Sequence, residues 1–149
     1  MTAEPPRLDR VLAESEVLAL HGRCYPMLVD LAARYAPDVD IAAGFPDDPM
    51  FLDLLRTGWL VDNGAGRLAT AELVDALGYA FGLLLAQIYG LRWCALRDAD
   101  GEFLALLGAD GVTVPPFAWV AARAELKVGD VFGDFVLQVA PGMFAEDDG

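Results

Sequence analysis

The sequence contains few of the residues from which catalytic and metal centres are built. Histidine occurs once, as His21, and cysteine twice, as Cys24 and Cys94. A structural zinc site needs four ligands, so the spacing of His21 and Cys24 does not predict one. We interpret this pair as a helix-end histidine beside a buried thiol, rather than as a nucleophile and its base. Two distant cysteines form no disulfide framework, so we expect reduced thiols and a cytoplasmic protein.

Motifs for nucleotides, calcium and export are also missing. Gly64 and Gly66 are followed by neither a GK[ST] nor a GxGxxG pattern. The segment from Asp98 to Gly101 begins like a calcium loop, but its twelfth position is Ala109 instead of a bidentate glutamate. We read it as a hairpin turn. The first residues lack the positive-then-apolar pattern of a signal peptide. We therefore predict no catalytic residue, no cofactor and no metal.

Positive charge is scarce. The 149 residues include 23 acidic and 10 basic ones, for a net charge of −13. Phosphate backbones and anionic membranes bind clustered Lys and Arg, so we predict neither a nucleic-acid nor a membrane partner. An acidic surface suits solubility, or a basic protein partner. The partner-binding candidates are the acidic cluster Asp38, Asp40, Asp47, Asp48 and Asp53; a merely solvated loop is the alternative.

The hydrophobic fraction of 56% is ample for the core of one domain, and we expect a single domain over residues 1–149 with short flexible ends. Residues 70–90 predict its buried central helix, because apolar residues cover nearly the whole helical circumference. Thr70 is the predicted N-cap, and Gly90 the left-handed residue that ends the helix. Gly78 and Gly82 predict close packing against a neighbour. The uncharged run 76–91 is short for a membrane span, which needs about 20 residues.

The remaining elements predict an α+β fold, with four to six helices around the helix at 70–90 and a small antiparallel sheet over 91–114. Before the central helix we expect helices from Leu8 to Gly22 and from Pro26 to Pro37, which form either a hairpin or one kinked rod. A loop at 38–48 and a helix at 49–58 capped by Asp48 should follow. After it we expect strands at 91–97, 102–107 and 112–114, followed by helices at 117–126 and 130–139.

The second half resembles a bacterial family called domain of unknown function 3806. The resemblance covers roughly residues 70–130 and rests on LGYAFG at 77–82, GLRW at 90–93, the Asp/Gly turn, VPPF at 114–117 and VAAR at 120–123. Where the family continues with a polar loop, this chain has ELKVG at 125–129. The family is uncharacterised, so the resemblance implies a fold arrangement and a bacterial source, and no functional residue.

Three functions are compatible with these patterns. The leading hypothesis is a non-enzymatic bacterial interaction protein, of the immunity or adaptor type, that binds a protein partner through its acidic surface. The alternative is a small-molecule binding or sensing domain, with a pocket between the central helix and the hairpin lined by Tyr79, Trp93 and Trp119. An enzyme would have to use His21, Glu72 and Asp75. The sequence leaves the oligomeric state open.

Overall fold

The computed structural model describes residues 5–46, 48–127 and 130–143. Helices surround one long helix, and a four-stranded antiparallel sheet packs beside it, which confirms the predicted α+β class. The elements are β1 Arg7–Val11, α1 Glu14–Tyr35, α2 Pro49–Val61, α3 Thr70–Tyr89, β2 Arg92–Asp98, β3 Gly101–Leu107, β4 Thr113–Val114, α4 Pro116–Arg123, α5 Val131–Asp134, a π-helical turn Phe135–Val139 and α6 Ala140–Met143.

The predicted central helix is α3. Ten of its residues are buried, and it packs against α1 and α4. By length and composition it is apolar enough to cross a membrane, but most of it is enclosed by the protein, consistent with a soluble fold. Gly90 ends it in the left-handed conformation, with φ of 66°. The N-cap is Ala69 instead of the predicted Thr70, because the Glu72 carboxylate accepts a hydrogen bond from the Ala69 N–H.

The two glycines of α3 face aromatic side chains. A Cβ atom built on Gly82 would lie within 3.0 Å of two ring carbons of Trp93. One built on Gly78 would come equally close to the ring of Phe117. Close packing at these positions was predicted, although the approaching groups are mainly rings rather than another helix backbone.

The sheet follows the chain in the order β1-β2-β3-β4, with every neighbouring pair antiparallel. The predicted hairpin is confirmed by the pairing of Arg92 with Leu107 and of Asp98 with Gly101. Asp98 accepts a hydrogen bond from the Asp100 N–H, and Gly101 has φ of 123°, as tight turns containing Asp and Gly commonly require. The short β4 extends the sheet where a third strand was expected.

The N-terminal prediction was wrong for residues 7–11, and of its two alternatives for the residues that follow, the single rod is the one that forms. Residues 7–11 form β1 instead of the start of a helix, because they pair with β2 about 85 residues further on, as in the pairing of Val11 with Cys94. A single helix, α1, then runs through both Gly22 and Pro26. Proline removes one backbone hydrogen bond from a helix. The burial of Leu20, Cys24, Leu28 and Leu31 on one face of α1 offsets that loss.

The predicted α2 and the predicted C-terminal helices are confirmed, although their first or last residues differ from the predicted ones. Asp48 caps α2 by accepting a hydrogen bond from the Met50 N–H, and Pro49 occupies the first turn. The helix continues past Gly58 to Val61, so Trp59 lies inside it and not beyond its end. The helix expected at 117–126 spans Pro116–Arg123. The one expected at 130–139 is α5 followed by the π-helical turn.

Asp62 ties the end of α2 to α1. Its Oδ2 accepts hydrogen bonds from Arg34 Nε and from the Tyr35 hydroxyl, both at 2.6 Å. Its Oδ1 accepts a third from the Gly64 N–H at 2.7 Å. The bond from Arg34, followed by those from Tyr35 and Gly64, holds the pKa of Asp62 well below its usual range.

Replacing Asp62 with asparagine should therefore destabilise the protein in a pH-dependent way. A carboxyl whose pKa is lowered by folding stabilises the fold at pH values above its unfolded pKa. That contribution is lost as the pH falls through the folded pKa. The difference in melting temperature between the wild type and Asp62→Asn should be largest near pH 7 and shrink below about pH 4.

Asp30→Asn is the control, because Asp30 is exposed on α1 and bonds to no described residue. A difference that stays constant down to about pH 2 would contradict this.

Candidate functional site

Three residues of the acidic cluster lie at the surface, in the segment that joins α1 to α2. Asp38 and Asp40 are exposed in the loop between α1 and α2, and the exposed Asp48 is the N-cap of α2. Asp40 accepts a hydrogen bond from the Ala42 N–H. Asp47 lies outside the described residues. The loop is joined to α2 by a ring contact between Phe45 and Phe51.

Asp53 does not belong to this surface, which corrects the prediction for that residue. It is 5% exposed, and its two carboxylate oxygens accept hydrogen bonds from the N–H groups of Phe132 and Gly133, both at 2.9 Å. It therefore caps the N-terminus of α5 from inside the protein. Burial is the largest influence on this carboxyl and raises its pKa, although the two N–H groups oppose the shift.

Arg56 lies one turn further along α2 and is 1% exposed. Its Nη1 donates hydrogen bonds to the carbonyl oxygens of Arg123, Ala124 and Leu126, at 3.3, 3.2 and 2.7 Å. These carbonyls belong to the end of α4 and to the residues just after it, where the carbonyl groups have no N–H partner within the helix. Sequence reasoning missed this residue, although Leu52, Arg56 and Trp59 are spaced to share the buried face of α2.

The outward face of α2 carries an apolar row. Met50, Leu54 and Val61 are 67%, 51% and 71% exposed. At 3.6 residues per turn their positions fall within about 40° around the helix axis and span roughly 16 Å along it. We call Met50, Leu54 and Val61 the α2 stripe. The inward assignment of Phe51, Leu52 and Leu55 was correct, and the same periodicity leaves these three residues outside.

His21 and Cys24 lie at the contact between α1 and α3. His21 is exposed, stacks on Tyr25, and its Nδ1 is hydrogen bonded to the Tyr79 hydroxyl at 2.5 Å. Burial raises the pKa of Tyr79 to about 12. Burial likewise raises the pKa of the Cys24 thiol, which is fully enclosed. A protonated, enclosed thiol is a poor nucleophile, so the geometry fits a structural cysteine.

The two carboxylates proposed for an enzyme both lie in the first two turns of α3. The Glu72 carboxylate lies at the N-terminus of α3, where it accepts a hydrogen bond from the Ala69 N–H. Asp75 is half-buried, and its charge lies close enough to Cys24 to contribute to the raised thiol pKa. Within residues 5–46, 48–127 and 130–143, no group of three His, Cys, Asp or Glu side chains could hold a metal ion.

The three aromatic residues predicted to line a pocket do not surround one space. Tyr79 and Trp93 are buried and stack with ring centroids 6.1 Å apart, filling the contact between α3 and the hairpin. Trp119 instead lies beside an open cleft of about 450 Å³ formed by β4, α4 and the segment that begins with α5. Neither Tyr79 nor Trp93 lines this cleft.

No protein-family model, curated protein or solved structure matches this chain. The resemblance of residues 70–130 to the bacterial family described above stays a prediction.

Proposed function

We propose that this chain is a non-enzymatic bacterial interaction protein, of the immunity or adaptor type, that acts in the cytoplasm. It binds a basic protein partner through the α2 stripe and the acidic residues Asp38, Asp40 and Asp48. The observation that carries the proposal is the α2 stripe itself, in which three large apolar side chains lie exposed in one row.

The apolar part of this surface indicates how a partner protein would bind it. Exposed apolar side chains scattered singly are normal, but a row on one helical face is typical of a helix that docks into a groove. Met50 and Leu54 are four residues apart, and Val61 continues the same line after Thr57. The partner would therefore present an apolar groove that receives one face of α2.

The charges around the stripe indicate which partner fits. Asp48 lies two residues before Met50, and Asp38 and Asp40 lie on the loop that packs against α2 through Phe45. With a net charge of −13, this chain repels acidic proteins and attracts basic ones. A groove bordered by Lys and Arg would match both features, and its charges would accelerate association more than they tighten the complex.

The test compares capture by the wild type with capture by Met50→Gln/Leu54→Gln/Val61→Gln. Glutamine has a helix propensity close to that of leucine and methionine, so α2 should keep its fold. We expect the wild type to capture a basic protein in near-equal amount from its own host. With the purified partner, the triple variant should raise the Kd at least about tenfold. Binding should also weaken as the salt concentration rises.

The matched control is Leu18→Gln. Leu18 is 64% exposed on α1, so this change removes an equally exposed apolar side chain outside the α2 stripe. It should leave capture and Kd unchanged. A partner bound equally well by the triple variant would disprove the proposed surface, and recovery of the bait alone would disprove the proposed function.

A further inference from the structure

The open cleft beside Trp119 has the size and walls of a ligand site. Its volume of about 450 Å³ lies within the range of small-molecule pockets. The walls are mainly apolar and include Val114 from β4, Trp119 from α4, and Val131 and Phe135 from the C-terminal helical segment. Arg123 and Asp134 add one positive and one negative group to this lining.

Arg123 is held in place, and no carboxylate of the described residues neutralises it. Its guanidinium lies 4.3 Å from the centroid of the Trp119 ring, and Nη1 donates a hydrogen bond to the Trp119 carbonyl oxygen at 3.1 Å. In the described part of the chain it forms no ion pair, with Asp134 or with any other carboxylate. A guanidinium has five N–H donors in a planar fork that matches a carboxylate. Most of its donors are therefore available to a ligand.

The walls around Arg123 are fixed from two directions. Arg56 holds the carbonyl groups at the end of α4, including that of Arg123 itself, and Asp53 holds the start of α5. Phe135 then begins the π-helical turn, which also supplies Val139 to the cleft. Single π-helical turns are rare and occur frequently at functional sites. The cleft therefore has walls that are held in place and a cation with a fixed orientation.

We propose that this cleft binds a small organic acid with one carboxylate and an apolar body. The carboxylate pairs with the guanidinium of Arg123, and the apolar body lies against Val114, Val131 and Phe135. Asp134 disfavours ligands that carry a second negative charge near its end of the cleft. This inference is independent of the proposed partner surface, because Met50, Leu54 and Val61 do not line the cleft.

The experiment titrates 3-phenylpropionate into the full chain and follows backbone amide chemical shifts and heat release. We expect saturable binding, with the shift changes centred on residues 113–123 and 131–139. The uncharged analogue 3-phenylpropanamide has nearly the same shape and lacks the charge, so it should bind at least about tenfold more weakly. This comparison uses the wild-type protein and needs no variant to fold.

Variants of Arg123 then test whether its positive charge is the group that binds the carboxylate of the ligand. Arg123→Gln should weaken 3-phenylpropionate binding at least about tenfold, and Arg123→Lys should weaken it less, because lysine keeps the charge but lacks the planar fork. Arg67→Gln is the matched control. Arg67 stacks over Trp59 at 3.7 Å and donates from Nε to the Trp59 carbonyl, yet it does not line the cleft.

Three results would overturn the proposal. The first is no saturable binding of 3-phenylpropionate up to about 10 mM. The second is equal affinity for the acid and its amide, which would remove the role of the charge. The third is an equal loss in Arg67→Gln and Arg123→Gln, which would place the effect outside the cleft. The triple variant of the α2 stripe should bind 3-phenylpropionate like the wild type, so this proposal and the partner surface can fail separately.

Discussion

Replacing Arg56 with methionine should lower the free energy of unfolding by about 3–5 kcal/mol, the usual cost of breaking a buried charged network by removing one member. Methionine fills much of the same volume but donates no hydrogen bond. The carbonyl oxygens of Arg123, Ala124 and Leu126 would lose the buried donor that Arg56 supplies. The carboxylate of Asp53 would also lose the nearby positive charge that favours its ionised form.

The measurement is urea unfolding followed by circular dichroism, with Arg92→Met as the control. Arg92 is exposed on β2, so its replacement should change stability by no more than about 0.5 kcal/mol. Asp53→Asn should cost less than Arg56→Met, because one amide oxygen can still accept a hydrogen bond from the start of α5. If Arg56→Met were as stable as the wild type, Arg56 would not be the residue that holds the end of α4 to α2.

The contrast between α2 and β1 shows which parts of this fold can be predicted from local sequence. Asp48, Pro49 and the apolar spacing that follows predict α2 almost to the residue at its start, because all of these signals act within a few residues. β1 carries apolar residues that also fit a helix. Its conformation is decided by pairing with β2, which no local pattern reveals.

The candidate sites were harder to predict for a similar reason. Asp53 has acidic neighbours in sequence, and only the position of α5 shows that it caps a helix in the interior. Arg123 carries no local signal of a binding role, since the role that we propose for it depends on Trp119 and on the cleft between α4 and α5. The α2 stripe, in contrast, follows from helical periodicity once the inward face of α2 is assigned.

Gly82→Ala should destabilise the protein, although helices favour alanine over glycine. This is the second large loss of stability that we expect, and it follows from the close packing of the small residues of α3. Alanine is favoured over glycine inside a helix by about 1 kcal/mol. Its Cβ would overlap ring carbons of Trp93, which is 7% exposed and stacks on Tyr79. A rigid indole enclosed in the core cannot move aside without disturbing its neighbours, and overpacking of this kind costs roughly 1–3 kcal/mol.

Gly22→Ala separates the packing effect from the helix propensity. Gly22 also lies inside a long helix, but a Cβ atom built there meets nothing within 4 Å. This variant should be stabilised by about 0.5–1 kcal/mol, so the two substitutions should shift the urea midpoint in opposite directions. Stabilisation by both variants would show that Trp93 can move away from α3. The close contact at Gly82 would then not be what holds the hairpin against the central helix.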